Sequence, residues 1–320
     1  HATLYNSICF FQLKVVTEGF GIPSGSTGLF SLLRIRRTME YTLQPGEDVS
    51  PGIKRIIDGK VAAAIDHIDS EMGPHETVHE VRKRCKEVRA AVRLVRPVLP
   101  TYSEENAHYR DAGRRVSDIR DAQAAIETFD DHIRPAVEAA SELDDPMLGD
   151  IRERLVARRD TLAAEQDIDS RLSAVRTDLA EGRERVDRLP IATEGYDAVA
   201  GGLRKSYNRA RNRMHEAYED PNFERFHEWR KRIKYHRYHT RLLRRVWKGP
   251  MKERRAELKT LSDVIGDEND LAEFAMLMRD ESLFEPTVRA TFDEVITGQR
   301  AELHRRGRPL GERLFAEPPD

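Results

Sequence analysis

Two cysteines, Cys9 and Cys85, are all that the 320 residues contain, and their spacing suits neither a disulfide framework nor a metal knuckle. The fold must therefore rest on its core rather than on staples, and a reducing compartment is expected. Aromatic residues make up only 7% of the chain, and β-branched residues rarely cluster, which disfavours a sheet. No run reaches the roughly 18 apolar residues of a membrane span. A basic segment, apolar core and small-residue cleavage site are missing from the N-terminus, so a cytoplasmic location without a membrane is expected. The opening "LYNSICFFQLKVV" and the tract "GFGIPSGSTG" differ in style from everything after Met39. Residues 1–46 are read as a poorly patterned segment, with translation expected to begin at Met39.

What is abundant is charge. Asp, Glu, Lys and Arg supply 34% of the residues, set in Ala- and Leu-rich stretches that favour helix. The chain reads as all-α. Helices are expected near 51–71, 76–99, 103–140, 147–187, 194–218, 222–247, 251–280 and 286–307, with breaks at Gly73-Pro74, Pro100, Pro146, Pro190, Pro221 and Gly249-Pro250. Four helices are followed by four again. Two four-helix bundles, 47–190 and 191–315, are expected to pack about a pseudo-two-fold axis.

An internal repeat supports that division. "HEVRKRCKEVRAAVRLVR" (79–96) and "HEWRKRIKYHRYHTRLLR" (227–244) share ten identities in eighteen at an offset of 148 residues. "VSDIRDA" (116–122) and "IGDENDL" (265–271) follow at nearly the same offset, pairing Asp118 with Asp267 and Asp121 with Asp270. The repeat also bears on a zinc-like H-E-x-x-H, formed by His75, Glu76 and His79. Only His79 has a histidine counterpart, His227; the position matching His75 is Phe223. Metal catalysis is therefore disfavoured, and no metal or cofactor is expected.

On the first repeated helix His79, Arg82, Lys86, Arg89, Arg93 and Arg96 recur every three or four residues, within an arc of about 100°. The second copy repeats the stripe with His227, Arg230, Lys234, Arg237, Arg241 and Arg244. Stacked like charges cost on the order of 1–2.5 kcal/mol per helix unless an anion relieves them. Internal carboxylates, notably Asp118, Asp121, Asp267 and Asp270, are one source of relief. Composition points to a second. The two eighteen-residue segments carry 14 Lys/Arg against 3 Asp/Glu, a net +11, while the other residues carry a net −13. Charge segregated in this way suits a polyanion site, and the arginine fork suits phosphate. The histidines are candidate pH modulators.

The duplicated "VHEVRKRCKEVRAAVRLV" and "FHEWRKRIKYHRYHTRLL", with "SDIRDA" and "IGDENDL" after them, resemble the CHAD domain, the conserved histidine α-helical domain, over residues 50–312. The resemblance implies paired helical bundles whose basic helices line a central groove, binding inorganic polyphosphate without catalysis, often at polyphosphate granules. The site it implies is His79, Arg82, Arg84, Lys86, Arg89 and Arg93 with His227, Arg230, Arg232, Lys234, Arg237 and Arg241. Arg204, Tyr207 and Arg211, in "GLRKSYNRAR", are lesser candidates. The E-x-E-x-K signature of the triphosphatase domain that accompanies many relatives does not occur. Single-stranded nucleic acid is the alternative partner. It is disfavoured because only Tyr235 and Tyr238 lie near a stripe to stack bases.

Overall fold

A computed structural model describes residues 40–140, 145–246, 248–279 and 284–318, and these hold helices and no strands. Met39 and Cys9 lie outside the described residues. Cys85 is buried, and that burial pushes its thiol up to about 12. None of the helices is long and apolar enough to cross a membrane.

The helices are α1 (Val49–Ile68), α2 (Pro74–Leu94), α3 (Tyr102–Arg114), α4 (Ser117–Thr128), α5 (Arg134–Ala140), α6 (Asp145–Glu165), α7 (Ile168–Arg185), α8 (Gly195–Glu219), α9 (Phe223–Leu242), α10 (Lys248–Leu277) and α11 (Pro286–Leu314). Pro74 and Pro286 sit in the first turns of α2 and α11, where a missing N–H costs nothing. Asn222 starts α9 by accepting from the Arg225 N–H at 3.0 Å.

Three expectations change. The helix expected over 103–140 turns at Arg115 and Val116, then continues through a π-turn at Phe129–Ile133, where the Arg134 N–H reaches back to Phe129 O. That over 147–187 divides at Asp167, which adopts φ 46° and caps α7 through the Ser170 N–H. The third concerns the stripes. Helix α2 stops at Leu94 and α9 at Leu242, so Arg96 and Arg244 lie beyond the helix ends. Arg96 opens a 3₁₀ turn with Pro97, whose ring cannot continue an α-helix.

The breaks let one chain serve two cores. The first is built on α1, α2, α3 and α7 and includes Ile53, Val81, Val88, Tyr109 and Val175. The second is built on α8 to α11 and includes Phe226, Trp229, Ile265, Phe274 and Phe292. Helices α4 to α6, although they precede residue 190, place Ile126, Phe129, Ile133 and Ile151 in the second core. Leu242 and Leu243, from the end of α9, lie in the first. Each half of the chain thus buries apolar surface against the other, and neither core is assembled from one half alone.

Two contacts hold the junction. Gly202 on α8 meets the end of α2 so closely that a Cβ there would stand 1.8 Å from Leu94 O, a backbone atom that cannot rotate away. Beside it runs a buried polar chain. Ala90 O can only accept, so His239 Nε2 donates to it at 3.0 Å, leaving Nδ1 to face Ser206 Oγ at 2.9 Å. On the other side of Ser206 is His236 Nδ1 at 3.4 Å, and His236 Nε2 accepts from Arg254 at 3.2 Å.

Burial first, then the positive charge nearby, pushes His239 down to about 3 and His236 well below its usual range. The unfolded chain therefore binds protons that the native state refuses. Stability should fall as pH drops from about 6.5 toward 3, by roughly 1.4 kcal/mol per pH unit for each histidine. Urea melts from pH 7 to pH 4 on the parent and His239→Gln test this: the variant should be less stable at pH 7 yet show a flatter acid limb. Gly202→Ala should destabilise by about 1–3 kcal/mol as the helices are wedged apart, read by thermal melting.

Candidate functional site

Helices α2 and α9 touch, and their contacts run in opposite order. Glu87 meets Arg241 at 2.8 Å, Ala90 O meets His239 at 3.0 Å, and Arg93 lies 3.9 Å from the centre of the Tyr235 ring. Lys86 and Lys234 are equivalent in the sequence repeat, and both feel the charge of Arg230 across or along the crossing. The crossing therefore merges the two stripes into one cationic face.

Carboxylates answer part of that face. Arg82 stands 3.7 Å from Asp121, and Arg230 donates to Asp270 at 3.0 Å. Arg84 bridges Glu80 and Glu87 at 2.8 and 3.0 Å, while Arg232 donates to Glu228 at 2.7 Å. Among the described ion pairs none involves Lys86, Arg89, Arg93, Lys234 or Arg237. Arg89 Nε reaches only Asn106 Oδ1 at 3.3 Å, and Arg237 only Ser262 Oγ at 3.4 Å. Of the remaining expected carboxylates, Asp118 is exposed, and Asp267 faces His132 at 4.0 Å.

The two lysines show the strain of this arrangement. Surrounding protein, then Arg82 and Arg230, push Lys86 down to about 8; surrounding protein, then Arg230 and Lys86, push Lys234 down to about 7. Lys86 nonetheless remains exposed and Lys234 half-buried. Solvent therefore moderates both the burial and the crowding of positive charge that push the two lysines down.

Each histidine at the head of a stripe faces a polar side chain from a neighbouring helix. His79 Nδ1 accepts from Arg120 Nε at 3.2 Å, and burial and then the Arg120 charge push its pKa down. His227 Nδ1 lies 2.6 Å from Asn269 Oδ1. His75 is pushed down by burial and then by Arg159, and Glu76 is exposed. Among the described residues, no group of three or more His, Cys, Asp or Glu side chains gathers as a metal would require. A cavity of about 490 Å³ adjoins the crossing, but Asp118, Asp121, Asp270 and Glu273 line it together with Phe223 and Phe274. Its sign is wrong for an anion.

Of the lesser candidates, the Tyr207 hydroxyl donates to Glu317 O at 2.8 Å and Arg211 donates to Phe315 O at 3.2 Å, so both pin the C-terminal segment. Arg204 is exposed on α8. The part of α8 that joins the cationic face is Ser206 and Arg209, which line a small pocket with Arg93, Arg96, Arg232, Tyr235 and His239. The signal was present in the sequence. Gly202, Ser206 and Ala210 recur every four residues and mark the closely packed face of α8, which Arg209 borders.

A family model described as "CHAD domain" matches residues 55–279. The chain is similar to a solved structure, that of the CHAD domain from the plant Ricinus communis, with a TM-score of 0.62 and 15% identity, covering 87% of this chain and 94% of that one. At that identity the likeness is one of fold. No curated protein matches the sequence.

An anion placed against Lys86 and Lys234 favours their charged forms, so binding should take up protons near pH 7–8, and affinity should fall as pH rises through that range. Calorimetry in buffers of different ionisation enthalpy measures the uptake. Lys86→Met with Lys234→Met should remove most of it, whereas unchanged uptake would place the titrating groups elsewhere.

Proposed function

The chain belongs to the CHAD domain family, and from that premise we propose that it is a non-catalytic binder of inorganic polyphosphate. The observation that carries the reading is the set Lys86, Arg89, Arg93, Lys234 and Arg237, cations drawn together at one helix crossing that enter no ion pair among the described residues. A polyphosphate would lie along a basic groove at the crossing, its oxygens taken by arginine forks and its charge relieving the repulsion. Affinity comes from many weak contacts. The net negative charge of the remaining sequence would discourage loose adhesion to other polyanions. The two rows are read as products of an internal duplication, with the halves related by a pseudo-two-fold axis. The protein would act in the cytoplasm, at polyphosphate granules.

Nucleic acid fits less well. A single strand needs free aromatic faces, yet Arg93 covers Tyr235, and Tyr238 packs edge-on against Tyr41 at 6.1 Å. Titration with long-chain polyphosphate, with heparin and single-stranded DNA as competitors, is the test. About six phosphate contacts should cost on the order of 10³-fold in affinity between 50 and 200 mM salt. Arg89→Glu with Arg237→Glu should abolish binding while leaving the helical spectrum unchanged. Displacement by DNA at equal phosphate concentration would overturn the reading.

A further inference from the structure

The two ends of the crossing are equivalent in the sequence repeat but not in charge. The offset of 148 residues pairs Arg84 with Arg232, Arg93 with Arg241, Arg96 with Arg244, and Glu87 with Tyr235. At the first end Glu87, fully buried, accepts from Arg241 at 2.8 Å and from Arg84 at 3.0 Å, with Lys60 at 3.8 Å. Chain is also folded over this end. Arg244 pairs with Glu40 and donates to Tyr41 O at 2.7 Å, and the Tyr41 hydroxyl donates to Glu87 O at 2.9 Å. This end is neutralised and covered.

At the second end Tyr235 stands where the repeat has Glu87, and a phenol brings no charge. Arg93 stacks on that ring at 3.9 Å, and Arg232 lies 5.9 Å from its centre. Arg93 Nη1 and Arg96 Nε and Nη2 are buried without a hydrogen-bond partner, unlike their repeat counterparts Arg241 and Arg244, whereas Arg232 Nε shares that state with its counterpart Arg84 Nε. Buried guanidinium N–H groups left unmatched are costly, so their convergence points to an absent acceptor. Exposed Lys205 and Arg209 add charge at the rim, where both act on or are acted on by Arg96. Among the described residues the only carboxylate paired with any of these arginines is Glu228, on Arg232.

We propose that this pocket binds a terminal phosphoryl group, so that the groove holds one end of a phosphate chain in a fixed place. Buried Ser206 and His239 close its floor, so a chain cannot thread through. The enclosed space is about 10 Å³, room for one water-sized group. One phosphate oxygen enters while the others meet the rim. A terminal phosphoryl group carries roughly two charges and three free oxygens at neutral pH, whereas an internal residue of the chain offers one charge and two. Converging arginines therefore favour the end.

This assignment rests on reading the groove as a polyphosphate site, and the test separates the two. Linear tripolyphosphate and cyclic trimetaphosphate have equal phosphorus content, but only the first has ends. The wild-type protein should bind the linear form at least about tenfold more tightly. Tyr235→Glu, which copies the neutralised end, should erase that preference, and so should the rim variant Arg209→Glu, chosen because an exposed side chain can change without unfolding the protein. Equal affinity for the two forms, or a preference that survives both substitutions, overturns the end pocket. If long-chain polyphosphate fails to bind while pyrophosphate still binds the wild type and not Tyr235→Glu, the groove reading falls and the pocket stands. If neither binds, both fall.

Discussion

Like charges brought together on two touching helices repel, and the rest of the molecule is arranged around that repulsion. Each stripe stacks arginines and lysines at intervals that place them side by side, and the crossing of α2 and α9 then sets one stripe against the other. An isolated pair of such helices would separate. Here they are held by apolar burial on their opposite faces, where Val81 and Val88 enter one core and Phe226 and Trp229 the other. Hydrophobic burial of this extent outweighs the few kcal/mol of repulsion.

The protein meets the electrostatic cost in three ways along the same face. Arg82 and Arg230 receive carboxylates from α4 and α10, which come later in the chain than the basic helices α2 and α9. Arg84 and Arg241 share a single buried carboxylate, Glu87. The third group, Lys86, Arg89, Arg93, Lys234 and Arg237, has neutral acceptors or none among the described residues, and burial and then neighbouring positive charge lower the proton affinity of its lysines. Relief is graded, and the charge left over is concentrated in this third group. Between Arg254 and Ala90 O the buried chain runs through His236, Ser206 and His239, neutral groups that tie α2, α8, α9 and α10 together.

Much of this was legible in the residues. The repeat at 148 residues, the recurrence of cations every three or four positions and the pairing of Asp121 with Asp270 can all be read along the chain, and the ion pairs Arg82–Asp121 and Arg230–Asp270 occupy matching places in the two copies. Less legible were the places where local pattern competes with long-range packing. The helix expected over 103–140 runs on in its polar and apolar rhythm past Arg115, but Val116 is claimed by one core and Ile126 by the other, so the chain turns between them. Tyr207 and Arg211 looked like members of the basic segment on α8. Their partners, Glu317 O and Phe315 O, are about a hundred residues away, and backbone carbonyls leave no trace in a sequence.

The sequence by itself determined the helical class, the doubled cationic stripe and the substitution of Tyr235 for Glu87, because each depends only on residue type and spacing along one chain. Tertiary structure decided which cations are neutralised and which are left open, since that depends on which side chains meet through space. The approach of Gly202 to Leu94 O brings Ser206 and Arg209 beside Arg93 and Arg96, and the fold lays Glu40 across the opposite end. Coulomb interactions fall off with distance rather than with separation in sequence. Two stripes of nearly identical composition therefore acquired unlike ends only when the chain was folded.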